Sequence, residues 1–226
     1  MRGQMRKSAT FALVIGLLAS LLLPTQSVAL SNFKVAPSTV WGYTYAGKAT
    51  GTTQTRPPKV AHLEQKSKFV VNYKNFPEWA KRDFQAAVDI WSANFSSAVP
   101  VTIDASWGRS ASYGVLGSAR PGNYYSGFDG APDQSLWYPS ALANALGGKD
   151  LEPENPEMVI QVNSVANWNT RNDGTPRANE YDLQSVFLHE MGHGLGFLST
   201  DSYDQFFGYG TIEQPTPYDA YAQLAD

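Results

Sequence analysis

The stretch Val186-Phe187-Leu188-His189-Glu190-Met191-Gly192-His193-Gly194-Leu195-Gly196-Phe197 decides how the rest of the chain is read. As a helix it places His189 and His193 four residues apart, about 40° around the axis, so that both imidazoles can reach one ion. Glu190 projects beside them, close enough to take a proton from metal-bound water. Asp182 is a suitable N-cap, and Leu183, Phe187, Leu188, Met191 and Leu195 form an apolar face away from the histidines. Gly194 and Gly196 follow where a helix ends in a left-handed cap. A pattern of three fixed positions arises by accident in a chain of this length at roughly the half-percent level. The bland alternative is a buried helix whose histidines serve backbone carbonyls. It carries the cost of burying two imidazoles and a carboxylate with nothing to ligate or neutralise them.

Working outward, Lys68 to Tyr73 alternates as a strand, and Asn75 and Pro77 announce a helix in which Ala80, Phe84, Ala87, Val88, Trp91 and Phe95 recur at three- and four-residue intervals. Val99 to Ile103 and Gly114 to Ser118 read as short strands, and Arg120 to Asp133 as a long loop. Pro139 to Leu146 has helical composition and stops at Gly147-Gly148, and Met158 to Val162 reads as a strand. This order predicts an α+β domain over residues 67–226: a twisted, mostly parallel sheet of about five short strands, packed on the long first helix and the histidine helix. The metal is expected to face a cleft beneath the sheet's edge. Residues 30–66 are rich in Gly, Thr and Pro, with Trp41, Tyr43 and Tyr45 the bulky cluster, and read as an extended arm or pro-segment lying on that domain. His62, alone in such a setting, reads as an ordinary surface histidine.

At the N-terminus, Arg2, Arg6 and Lys7 precede the apolar run Phe11 to Leu23, and Ser27-Val28-Ala29 supplies the small residues of a cleavage site. A bacterial-type signal peptide over residues 1–29, cleaved after Ala29, is expected, and with it a secreted or cell-surface protein without stable membrane insertion. Removing the leader's 3 basic residues from the 17 leaves 14 against 20 acidic ones, a formal charge of −6. That balance, with no basic run after the leader, argues against a nucleic-acid partner. Cysteine is absent, so the exported chain is expected to hold together by its core rather than by disulfides, with metal ions as the candidate further support. A monomer is expected.

Three further pieces carry a resemblance: Leu136-Trp137-Tyr138-Pro139 with Ala141 to Leu146; Val159-Ile160 with Asn163-Ser164; and Tyr181-Asp182 running into His189 to Phe197. Together they resemble the zincin metallopeptidases, most of all secreted bacterial metzincin-like proteins with HE(L/I/M)GHGLGF, over roughly residues 133–222. The resemblance implies a zincin-like fold with a five-stranded sheet and two main helices. It also implies a zinc-dependent endopeptidase activity on protein or peptide substrates, and a substrate strand added to the sheet edge. Two features depart from the pattern. The third-ligand position after Gly196 holds Ser199, a poor zinc ligand, and no methionine follows Met191.

The metal set expected is therefore His189 and His193 with a carboxylate from Asp201 or Asp219. Glu213, 20 residues after His193, is a further candidate, as is a ligand beyond Asp226 should the chain be a truncated product. Glu190 is the expected general base. Tyr203, Tyr209 and Tyr218 are nominees for the oxyanion donor, with cleft wall or core as their plainer roles. Asp104, Asp129, Asp133, Asn172 and Asp173 invite a structural calcium ion as second cofactor, although none forms a ligand loop of alternating spacing. An inactive domain of the same kind, kept as a secreted binding or adhesion module, is the alternative function.

Overall fold

The computed structural model describes residues 33–47, 64–171 and 173–221. The leader, its cleavage site, His62 and Asn172 lie outside them. Strand β1 (Lys34–Pro37) and strand β2 (Gly42–Tyr45) come first, followed by β3 (Phe69–Lys74), helix α1 (Glu78–Asn94), β4 (Val101–Gly108), β5 (Val115–Pro121) and β6 (Asn123–Ser126). The short β7 (Tyr138–Pro139), α2 (Ser140–Gly147), β8 (Met158–Asn163), α3 (Leu183–Leu195), β9 (Asp201–Asp204), β10 (Tyr209–Ile212) and α4 (Pro217–Tyr221) complete the order.

The main sheet has five strands in the order β2-β5-β8-β4-β3. Two of its ladders, β3 with β4 and β4 with β8, are parallel, and two, β5 with β8 and β2 with β5, are antiparallel. The sheet is thus mixed rather than mostly parallel. The reason is that the arm, expected only to lie on the domain, contributes β2 as an edge strand, and β1 as well. β1 pairs with β6, inside the stretch expected to be loop, in a small sheet that β7 completes.

Both long helices pack on one face of the main sheet, because alternate residues of β4 and β8 point there. Val101, Ile103 and Ala105 of β4, and Met158, Ile160 and Val162 of β8, are buried in one core with Phe84, Phe187, Leu183 and Met191 of the helices. Phe84 of α1 and Phe187 of α3 meet with ring centroids 4.4 Å apart, and the indole N–H of Trp91 donates to the Leu188 carbonyl at 3.1 Å. These contacts fix how α3 turns about its axis. Its apolar residues are spent on α1 and the sheet centre, so its polar stripe is left facing β5 and β2.

Candidate active site

Helix α3 starts where the side chain of Asp182 accepts the Ser185 N–H at 2.9 Å, and it ends at Gly196 with φ 116°, a conformation that favours glycine. On it the two imidazoles stand close and nearly perpendicular, with centroids 4.5 Å apart. His193 donates from Nδ1 to the Phe197 carbonyl at 2.8 Å, which leaves the Nε2 lone pair free for another partner. That Nε2 is buried and has no hydrogen-bond partner among the described residues. His189 is exposed overall, yet partial desolvation on the side turned to the protein, and then the neighbouring His193, hold its pKa below the ordinary value.

Glu190 is 0% exposed. Its Oε1 accepts the Thr44 hydroxyl of β2 at 2.6 Å, whereas Oε2 is buried with no partner among the described residues. Burial raises its pKa to about 7, and the hydrogen bonds from Thr44 pull only partly the other way. Two glycines make the fit possible. A Cβ on Gly117 of β5 would stand 3.0 Å from Glu190 Oε1, and one on Gly42 of β2 would fall 2.2 Å from the His193 ring. The expected open cleft at this place is therefore filled by β2. A cavity of about 550 Å³ lies on the other face of the sheet, against Tyr43, Ser118, Gln161 and Ser106, which form one row across four strands.

A zinc ion fits this pair in kind, since imidazole is a preferred donor and the orphaned Nε2 and Oε2 are atoms that an ion and its water would satisfy. It does not fit in number. Among the described residues no three His, Cys, Asp or Glu side chains gather as a metal set, which leaves the calcium candidates Asp104, Asp129, Asp133 and Asp173 apart as well. Asp201 is exposed at the start of β9, and Glu213 is exposed beyond β10. Asp219 is buried, but its carboxylate accepts from the hydroxyls of Ser199, Thr200 and Thr216 and from the N–H groups of Thr200 and Thr216. Burial raises the pKa of Asp219, and those hydrogen bonds outweigh it, leaving the carboxyl below its ordinary range. Its work is to tie three loop residues to α4, and that occupies both oxygens. Tyr203, Tyr209 and Tyr218 are all exposed.

Sequence reasoning missed Thr44, Gly42 and Gly117. A glycine facing a catalytic helix has no signature of its own in a single chain, and Gly-Tyr-Thr-Tyr lacks the apolar alternation of a half-buried strand. The role of Asp219 did leave a signal, because Thr216-Pro217-Tyr218-Asp219 has the form of a capping box with proline at the first helical position.

None of the curated proteins and none of the solved structures compared with this chain matches it. The resemblance to the zincin metallopeptidases is overturned on two counts: the two histidines gather no third donor among the described residues, and the family whose model matches is a different one. That model, described as SPBPB7E8-like, covers residues 72–215, well over half of the sequence from β3 to beyond β10, and the chain belongs to the SPBPB7E8-like family.

Proposed function

We propose that this protein is a secreted, zinc-dependent hydrolase of peptide bonds in which Glu190 is the general base and His189 and His193 hold the ion. The Glu190 carboxyl carries the reading. It is wholly buried, its pKa is about 7, and among the described residues one of its oxygens finds no partner, nor does the Nε2 of His193 on the same turn. A carboxyl poised near neutrality is matched both to taking a proton and to returning it. Zinc, when bound, supplies a water whose pKa falls toward neutrality. The chain's own residues do the rest: the Phe197 carbonyl fixes the His193 ring, and Glu190 Oε2 takes a proton from the attacking water and passes it to the leaving amine. A peptide is favoured over other amides because an extended strand already lies across Glu190. Export rests on Arg2, Arg6, Lys7 and the run to Ala29.

The test is zinc titration of the full chain after dialysis against a chelator, with hydrolysis of a mixed-sequence peptide library followed by mass spectrometry. Glu190→Gln should leave zinc uptake unchanged and cut turnover by about a hundredfold or more, and His193→Ala should lose the zinc. Turnover indifferent to zinc, or surviving Glu190→Gln, defeats the proposal. A second reading, the inactive binding module, is favoured by the missing third donor and by the Thr44 hydroxyl on Glu190. It predicts no zinc uptake by a folded chain.

A further inference from the structure

The arm strand β2 is placed where a substrate strand would have to lie. It runs antiparallel to β5, with Gly42 opposite Ala119, Tyr43 opposite Ser118 and Thr44 opposite Gly117, and the Ala46 N–H extends the pairing to the Gly114 carbonyl at 2.7 Å. Its side chains alternate. Gly42 and Thr44 point to α3, while Tyr43 and Tyr45 point away and are exposed. On the inward side Gly42 lies against the His193 ring with no room for a Cβ, and the Thr44 hydroxyl holds Glu190 Oε1. Four residues thus cover Glu190 and His193, two of the three groups on which hydrolysis at α3 would depend.

From this, and resting on the hydrolase reading above, we propose that β2 is a built-in occupant of the peptide groove. The chain as folded here is latent, and when β2 leaves, the free edge of β5 takes an extended peptide with glycine over His193 and a small hydroxyl residue, Thr or Ser, at Glu190. The glycine preference follows from the 2.2 Å that a Cβ would leave to His193, and the hydroxyl preference from the Thr44 hydroxyl that donates to Oε1. Extended pairing supplies affinity, and the two inward positions supply selectivity. A tethered strand competes at an effective concentration of roughly millimolar, so a peptide added at micromolar concentration finds the groove taken.

Gly42→Val in the full chain puts a branched side chain into the His193 ring and should expel β2. Three readouts follow: binding of a labelled peptide Val-Trp-Gly-Tyr-Thr-Tyr-Ala by fluorescence anisotropy, carbethoxylation of His193 mapped by mass spectrometry, and peptide hydrolysis. The variant should bind the peptide at least about tenfold more tightly than the wild type and expose His193 to the reagent, and the Gly→Val change in the peptide itself should abolish that gain. Thr44→Val, which removes only the hydroxyl, should give smaller changes in the same direction and guards against misfolding of the first variant. If both variants keep the wild-type circular dichroism spectrum yet neither binds peptide better nor exposes His193, the occupant proposal fails. Peptide bound and His193 exposed without zinc-dependent hydrolysis would sink the hydrolase reading and leave the occupied groove standing.

Discussion

Asp83 sits on the inward face of α1, 3% exposed, with one carboxylate oxygen lacking a partner among the described residues. Its pKa is raised to about 6, by burial first and then by the charge of Asp182 at the start of α3, with Arg82 pulling the other way. The sign of the effect on stability follows. Near pH 3 and below, under the unfolded value of 3.8, both folded and unfolded chains hold the proton, and the carboxyl costs nothing. Between that point and about pH 6 the unfolded chain gives up its proton while the folded chain keeps it, so stability falls as pH rises. The loss is complete above the folded pKa. Allowing for screening by nearby solvent, it amounts to roughly 1–2 kcal/mol. Asp83→Asn should therefore gain that much stability relative to the wild type between pH 3 and pH 7, measured by urea denaturation at both. A gap between the two proteins that stays constant with pH would contradict the account.

At the scale of elements, the link from Ser199-Thr200 to α4 depends on one side chain. Asp219 reaches back to the Thr216 N–H, and the Thr216 hydroxyl accepts the Asp219 N–H, while Ser199 and Thr200 close on the same carboxylate from α3's side. Asp219→Ala leaves these donors unpaired at a cost of about 2 kcal/mol, which lowers Tm by roughly 4–8 °C in a chain of this size. Zinc uptake, if His189 and His193 provide it, should survive the change. Loss of zinc at unchanged Tm would make Asp219 a ligand after all. Helices α1 and α3 were legible in the sequence because seventeen and thirteen residues of three- and four-fold apolar recurrence leave little choice of conformation. Strand β8 was legible over Met158 to Val162, whereas β4 was legible only to Ile103, because Asp104, Ser106 and Gly108 beyond it break the β-branched run. The pairing of β2 was not legible. Its register comes from two glycines and a threonine that meet His193 and Glu190 only after the sheet has closed, and nothing local encodes a meeting across 146 residues. The same holds for the metal set: spacing places two donors on one helix, but a third must come from tertiary structure.

Across the whole molecule the sheet is secured unevenly, and that sets which part can leave. Strand β8 is paired on both sides, to β4 and to β5, and its Met158 and Ile160, with Ile103 of β4, are fully buried under both helices. Freeing β8 uncovers the core, so its amides exchange only through global unfolding. Strand β2 has four residues and one partner, and two of its side chains are in solvent. Lifting it uncovers a glycine, a threonine and the polar stripe of α3, and leaves the apolar core covered. Hydrogen exchange followed by mass spectrometry should show the β2 amides exchanging at least about a hundredfold faster than those of β8, through a local opening that costs less than global unfolding. Gly42→Val should abolish the residual protection of β2 and leave that of β8 unchanged. Equal protection in the two strands would place β2 in the same cooperative unit as the core. Release of the groove would then require the arm to be cut rather than to swing away, because no opening short of unfolding would expose Glu190.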